Sequence, residues 1–199
     1  MWIKICGMTT PEAVSAALDA GVDAIGFVFA KSVRQVTAEQ ATRLAAPVRG
    51  RIRCVAVTRH PSQHDINEIL GHFNPDVLQT DSDDLPSLRL PGQLELLPVL
   101  RNAQGSDGLP PRLLFEGLAS GTGTTCDWTA ARQAARRVEV VLAGGLNPNN
   151  VAAAIAQVRP FGVDVSSGVE SRPGVKSPAQ IALFVTAARA SRVAHEDSV

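Results

Sequence analysis

The sequence predicts an α/β protein folded as a single (β/α)8 TIM barrel in which a loop replaces the fifth helix. Three observations carry that expectation. Eight short, apolar, β-branched runs recur along the 199 residues, which sits at the short end of the range for such barrels. Helical patterns separate nearly all of these runs, and strict strand–helix alternation calls for a parallel sheet with crossover helices. The rival open, doubly wound sheet usually carries GxGxxG after its first strand, and here that position reads Cys6-Gly7-Met8-Thr9-Thr10.

The strands are expected at Ile3–Cys6, Ala24–Phe29, Arg53–Thr58, Val77–Thr80, Leu96–Arg101, Arg112–Gly117, Glu139–Gly144 and Val163–Ser166. Helices are expected near 11–20, 38–46, 63–72, 83–89, 128–137, 148–158 and 178–191. Thr37 with Gln40 and Ser177 with Gln180 read as capping boxes. Thr10-Pro11, Asn147-Pro148 and Ser177-Pro178 place a cap before a proline at the first helical position. Residues 102–110 hold several chain breakers and no helical period, hence the loop in the fifth crossover. Residues 192–199 are polar and are expected to fray. Gly21-Val22-Asp23-Ala24 and Gly162-Val163-Asp164-Val165 form a short internal echo. No composition shift marks a second domain, so residues 1–199 are read as one.

Composition excludes several classes. Nineteen basic side chains balance nineteen acidic ones, so the basic footprint of a nucleic-acid binder is missing. No apolar run is long enough to span a membrane, and the N-terminus is not a signal peptide. Cys6, Cys54 and Cys126 are odd in number, widely spaced and lack a CxxC pattern, which argues against a disulfide framework or zinc site. The expected setting is the cytoplasm.

In such barrels the chemistry sits at the C-terminal ends of the strands. Alternation along the first strand turns Lys4 and Cys6 inward and Ile3 and Ile5 outward. Cys6 ends its strand and is a candidate base, whose thiolate fraction a nearby ammonium would raise; a small buried hydrophobe is the plain alternative. Cys54 reads as core. Asp127 precedes a helix, and position alone favours an N-cap. Its place after the sixth strand also suits a general acid, which would need burial or a neighbouring anion to stay protonated. Gly144 and Gly145 after strand seven, with Ser166, Ser167 and Gly168 after strand eight, occupy the common phosphate position of these barrels; turn chemistry alone explains either loop equally well. Arg34 could pair with a substrate carboxylate or be an ordinary surface arginine. Asp164 faces inward with Ser166, and Lys4 is its natural partner. His60 and His64 read as surface residues rather than metal ligands.

The motifs Lys4-Ile5-Cys6-Gly7-Met8-Thr9, Ala24–Phe29 with Ser32 and Arg34, Gly121-Thr122-Gly123 with Asp127-Trp128, Leu142–Leu146 and Val163–Glu170, taken in this order, resemble phosphoribosylanthranilate isomerases of tryptophan biosynthesis. The resemblance spans nearly the whole chain. It implies an Amadori rearrangement of N-(5-phosphoribosyl)anthranilate, with Cys6 as general base, Asp127 as general acid and Arg34 holding the anthranilate carboxylate. It also implies a loop for the fifth helix, no metal or organic cofactor, a small phosphorylated substrate, and a monomer or homodimer. Lys4, Asp164 and Gln79 are supporting residues in this reading.

The sequence departs from the family pattern after strand four, where Gln79-Thr80-Asp81-Ser82 stands for the usual Gln-Leu-His-Gly. Glu116 replaces a usual aspartate, Ser120 a glycine and Val33 a proline. Two other readings compete. A different phosphate-binding barrel enzyme, such as an indole-glycerol-phosphate synthase or pentose-phosphate epimerase, would need a catalytic lysine at a strand end or a metal cluster. A barrel that binds a phosphorylated ligand without turnover is supported by the strand-four departure alone.

Overall fold

The computed structural model describes residues 1–101, 109–117 and 126–196, with side chains to residue 191. Eight parallel strands close into a barrel in sequential order: β1 (Trp2–Cys6), β2 (Ala24–Val28), β3 (Arg53–Val57), β4 (Val77–Asp81), β5 (Glu95–Leu100), β6 (Arg112–Phe115), β7 (Glu139–Leu142) and β8 (Gly162–Val165). Closure is made by β1, where Lys4 lies opposite Ala24 of β2 on one side and Asp164 of β8 on the other. A barrel removes both sheet edges, so none of these eight strands is left to template aggregation.

Period-two alternation sorts the side chains into two cores. Ile3, Ile5, Ile25, Phe27, Cys54 and Leu113 point outward into one layer with the helices. Ala24, Val55, Val77, Leu97, Val99, Leu114 and Val141 fill the barrel interior. Cys54 is therefore packing material, as its sequence context suggests. Register also dissolves the internal echo. Lys4 stands opposite Ala24 and opposite Asp164, so Asp23 is one residue out of step with Asp164, and one residue reverses the face.

The crossover helices are α1 (Pro11–Asp19), α2 (Ala38–Ala45), α3 (Gln63–Glu68), α4 (Trp128–Ala135), α5 (Val151–Val158) and α6 (Pro178–Glu196). Capping chemistry sets their starts. Thr10 Oγ1 accepts from Ala13 N, and Thr37 and Gln40 form a complete capping box. Ser177 Oγ accepts from Gln180 N at 3.4 Å, the first half of its expected box.

Four expectations need correction. The segment 83–89 is a 3-10 helix over Ser82–Ser87 with Pro86 inside it, not an α-helix. α3 ends at Glu68 and widens into a π turn over Ile69–Phe73. α5 begins at Val151 rather than Pro148. Its reason is local: Asn147 Oδ1 accepts from Asn149 N, and Asn150 Oδ1 accepts from Asn147 N, so asparagine side chains replace the first helical turn with their own. The backbone of 192–196, expected to fray, continues α6. Most of the 102–110 loop, and the Gly121–Gly123 stretch, lie outside the described residues.

One element was not anticipated. After β8, a 3-10 turn (Ser167–Val169) leads into a short antiparallel hairpin, β9 (Glu170–Arg172) and β10 (Val175–Lys176). Thr9 Oγ1 donates to Gly174 O, which ties the hairpin to the loop after β1. Among the described residues, no helix is long and apolar enough to cross a membrane.

Candidate active site

Parallel strands put every C-terminal end on one rim, so Cys6 and Gln79 in β1 and β4, and Arg34, Gly144 and Ser166 after β2, β7 and β8, serve the same mouth. At the base of that mouth lies a charged group inside the barrel. Lys4 Nζ donates to Asp164 Oδ1 at 2.8 Å, with Lys4 fully buried. Burial opposes the charge on Lys4, but Asp164 and Cys6 outweigh it and hold the ammonium above the usual lysine range. Gly26 makes room for this arrangement: a Cβ there would stand 3.0 Å from Cys6 Sγ and 3.2 Å from Lys4 Cε.

A buried ion pair of this kind costs most when one member is lost. Lys4→Met is expected to destabilise the fold by about 3–5 kcal/mol in urea denaturation, because Asp164 is left charged and alone. Adding Asp164→Leu should recover much of that loss; a double variant no more stable than the single one would show that the pair is not the source.

Cys6 lies beside this pair, and the pull of an ammonium on its thiol is present as expected. Burial pushes its thiol above the ordinary 9.0, and the neighbouring Lys4 and Lys176 ammonium groups pull back without reversing the shift, while Asp164 and Glu116 add to it. The free protein therefore holds Cys6 as a thiol near neutrality, despite the ammonium beside it.

The phosphate-type loops converge beside Cys6. Ser166 Oγ donates to Cys6 O at 3.1 Å. Gly144, Gly145, Ser166 and Ser167 line one pocket together with Glu116 and Asp164. Neither the Gly144 nor the Gly145 N–H donates to another described residue, which leaves both for an anion. Gly168 also has a packing reason to be glycine. A Cβ there would fall 1.9 Å from Leu146 O, so this glycine lets the two loops lie against each other.

Arg34 is no loose surface arginine. Its Nε and Nη2 donate to the two carboxylate oxygens of Glu170 at 2.7 and 2.8 Å. Its stem crosses Gly7, where a Cβ would come within 2.6 Å of Arg34 Cδ. Glu170 also receives Lys176 Nζ at 2.7 Å, and Lys176 donates onward to Ser166 O at 3.0 Å. Burial lowers Lys176 and Glu170 only partly restores it. Burial alone would raise Glu170, yet the hydrogen bonds from Arg34 and Lys176 bring it down to about 2.

Asp127 is the N-cap of α4. Its Oδ1 accepts from Thr129 N at 2.8 Å and from Ala130 N at 3.2 Å, and the residue is exposed. The burial expected of a general acid is thus absent among the described residues, while Oδ2 remains for other contacts. Its neighbour Cys126 packs on Gly117 and Gly144, which sets Asp127 beside the ends of β6 and β7.

On the far side, Gln79 points inward, is 5% exposed, and its Oε1 has no hydrogen-bond partner among the described residues. A buried acceptor left unpaired costs about 1–3 kcal/mol. Gln79→Leu is accordingly expected to raise the melting temperature of the ligand-free protein and to raise KM. A variant that melts lower, or binds substrate unchanged, would show that the amide is not held in reserve for a ligand.

The strand-four departure has a structural role. Asp81 stands where the family has histidine, and it accepts from Arg101 Nε at 2.9 Å; Arg101 Nη1 reaches Glu116 Oε2 at 3.1 Å. Asp81, Arg101 and Glu116 thus link the ends of β4, β5 and β6. His60, Asp81 and Asp84 lie within ligand distance of one another. His60 Nδ1 bonds Asp84 Oδ1, while His60 N and Thr80 Oγ1 donate to Oδ2, so Asp84 is already engaged.

Of the residues singled out from the sequence, Lys4, Cys6, Asp164, Ser166 and Arg34 are gathered at one side of the mouth. Lys176, Arg101 and the hold of Glu170 on Arg34 were missed. Lys176 offers little signal in the sequence, since a lysine just before a helix reads as solvated.

Comparison with known proteins agrees with this geometry. Residues 3–187 match the family described as N-(5'phosphoribosyl)anthranilate (PRA) isomerase. The N-(5'-phosphoribosyl)anthranilate isomerase of Rhizobium etli is 38% identical, covering 93% of this chain and 92% of its own. The phosphoribosyl anthranilate isomerase of Thermus thermophilus superposes with a TM-score of 0.82 at 26% identity, covering 96% and 99% of the two chains. A phosphoribosyl anthranilate isomerase solved with reduced 1-(o-carboxyphenylamino)-1-deoxyribulose 5-phosphate superposes at 0.74 with 29% identity, over 96% and 99%.

Proposed function

The chain belongs to the N-(5'-phosphoribosyl)anthranilate isomerase family, and we propose that Cys6 and Asp127 carry out its reaction as base and acid. It is an isomerase of tryptophan biosynthesis. It converts N-(5'-phosphoribosyl)anthranilate into 1-(2-carboxyphenylamino)-1-deoxyribulose 5-phosphate.

Opening the furanose leaves an alkoxide unless the ring oxygen is protonated. Asp127 supplies that proton from Oδ2, the oxygen not engaged in capping α4. Electrons from the anthranilate nitrogen form the C1=N bond as the C1–O bond breaks. The resulting iminium acidifies C2–H, and Cys6, in its thiolate form, takes that proton on Sγ and becomes the thiol. The iminium also acts on the thiol in the direction opposite to burial, since a nearby cation favours the thiolate. The enolamine then tautomerises to the ketone. Each positioned acid or base contributes about 10²–10⁴ in rate.

Binding falls to the other residues. The phosphate rests on Gly144, Gly145, Ser166, Ser167 and Gly168, and Arg34 takes the anthranilate carboxylate. Lys4 and Asp164 hold Cys6 in place, and Gln79 offers Oε1 to a substrate N–H or O–H. Every role falls to one chain, as suits a monomer or a homodimer, and none needs a metal or organic cofactor. A cytoplasmic setting suits an enzyme of amino-acid synthesis.

The observation that carries this reading is the contact between Ser166 Oγ and Cys6 O, which joins the phosphate loop to the base-bearing strand. Its test is the loss of phosphoribosylanthranilate fluorescence on adding the protein, followed through turnover. A protein that binds the substrate without consuming it would favour the non-catalytic barrel instead.

A further inference from the structure

Two cations at this mouth, Arg34 and Lys176, are tied to one carboxylate, and the geometry points to Glu170 as a positioning residue that aims Arg34 at the substrate carboxylate. This inference rests on the reading of Arg34 as the carboxylate clamp. Glu170 begins β9, just past the phosphate loop of β8. Its Oε1 accepts from Arg34 Nε at 2.7 Å and Lys176 Nζ at 2.7 Å. Its Oε2 accepts from Arg34 Nη2 at 2.8 Å and Gly174 N at 3.1 Å. Four donors thus meet about four lone-pair sites.

Consequences follow for Arg34. A guanidinium presents five N–H groups in a fixed fork. Glu170 takes Nε–H and one Nη2–H. The Nη1 hydrogens and the second Nη2 hydrogen remain, and these form the end-on edge of the fork. A substrate carboxylate can therefore still be held by two parallel bonds, but only end-on, in the orientation Glu170 dictates. Lys176 carries the link onward to Ser166 O and Oγ, and Ser166 Oγ reaches Cys6 O. The clamp after β2, the phosphate loop after β8 and the base on β1 are thereby set relative to one another.

Removing the glutamate charge would seem to help an anion bind. The opposing effect is at Lys176, whose ammonium is buried and already lowered by burial. Deprived of the Glu170 hydrogen bond and charge that raise it, the ammonium is lowered further, toward the neutral amine. With Glu170 ionised the three groups sum to +1 (Arg34 and Lys176 positive, Glu170 negative), and with the glutamate replaced and Lys176 neutral they still sum to +1. Positioning is what is lost.

The test uses two ligands: reduced 1-(o-carboxyphenylamino)-1-deoxyribulose 5-phosphate and its phenylamino counterpart lacking the carboxylate. Calorimetry on the wild type should show tighter binding of the first. Glu170→Gln should weaken the first by roughly tenfold or more and the second by less than about twofold, the lost orientation acting only on the carboxylate. KM should rise more than kcat falls, and the acid limb of kcat/KM should move to higher pH as Lys176 loses its charge. Glu170→Asp, too short to reach both cations, gives the same readout should the glutamine variant not fold. Equal weakening of both ligands would reduce Glu170 to a staple of the hairpin and overturn the inference, as would no weakening of either. A wild type that binds the two ligands equally, or an Arg34→Ala substitution that weakens both by the same factor, would instead overturn the clamp reading, and the inference with it.

Discussion

Cys6→Ser is expected to lower kcat by about 10²–10⁴-fold while leaving KM within a few-fold. Serine is nearly isosteric, and its hydroxyl can keep the hydrogen-bond geometry beside Lys4, so the fold should survive. What it cannot do is accept a proton from carbon at an accessible pH, because an alkoxide is far harder to form than a thiolate. The pH dependence follows from burial. Burial holds the Cys6 thiol above 9.0 in the free protein, with Lys4 and Lys176 opposing. The proton-accepting form is then the minor one at neutral pH, and kcat/KM should still be climbing at pH 9, since that ratio reports groups of the free enzyme. A profile already flat at neutrality would mean that a different group is the base. A serine variant within a few-fold of wild type would say the same independently.

How much of this was legible in the sequence depends on how local the determining physics is. Strand parity is local, so the inward direction of Lys4, Cys6 and Asp164 was readable, and their pairing followed once β1 met β8. Helix starts at Thr10 and Thr37 were readable because cap and partner lie three residues apart. Asn147-Pro148 misled because two asparagine side chains compete for the backbone groups a helix would use. The 83–89 segment carries apolar spacing, but Pro86 within six residues leaves room only for a 3-10 turn. The fourfold coordination of Glu170 was invisible for a different reason. Arg34 lies 136 positions away, and nothing in the hairpin sequence says which cation it will meet. Parity likewise could not tell that Cys6, beside an ammonium, would be held protonated, since that outcome weighs burial against charge in three dimensions.

Asp127 presents the sharper separation of roles, because it demonstrably caps α4 whatever else it does. Asparagine is as good an N-cap as aspartate, and its side-chain oxygen can keep the bonds to Thr129 N and Ala130 N. Asp127→Asn should therefore leave the urea midpoint nearly unchanged. Its amide cannot deliver a proton to the ribose ring oxygen, so kcat should fall by about 10²–10⁴-fold. Asp127→Ala removes both functions and should add about 1 kcal/mol of destabilisation to the same loss of activity. The three proteins together decide the matter. If activity follows stability, full in the asparagine variant and reduced in alanine, Asp127 is a cap and the acid lies elsewhere. If the asparagine variant is as stable as wild type and nearly inactive, capping cannot account for the loss, and the carboxyl acts on the sugar.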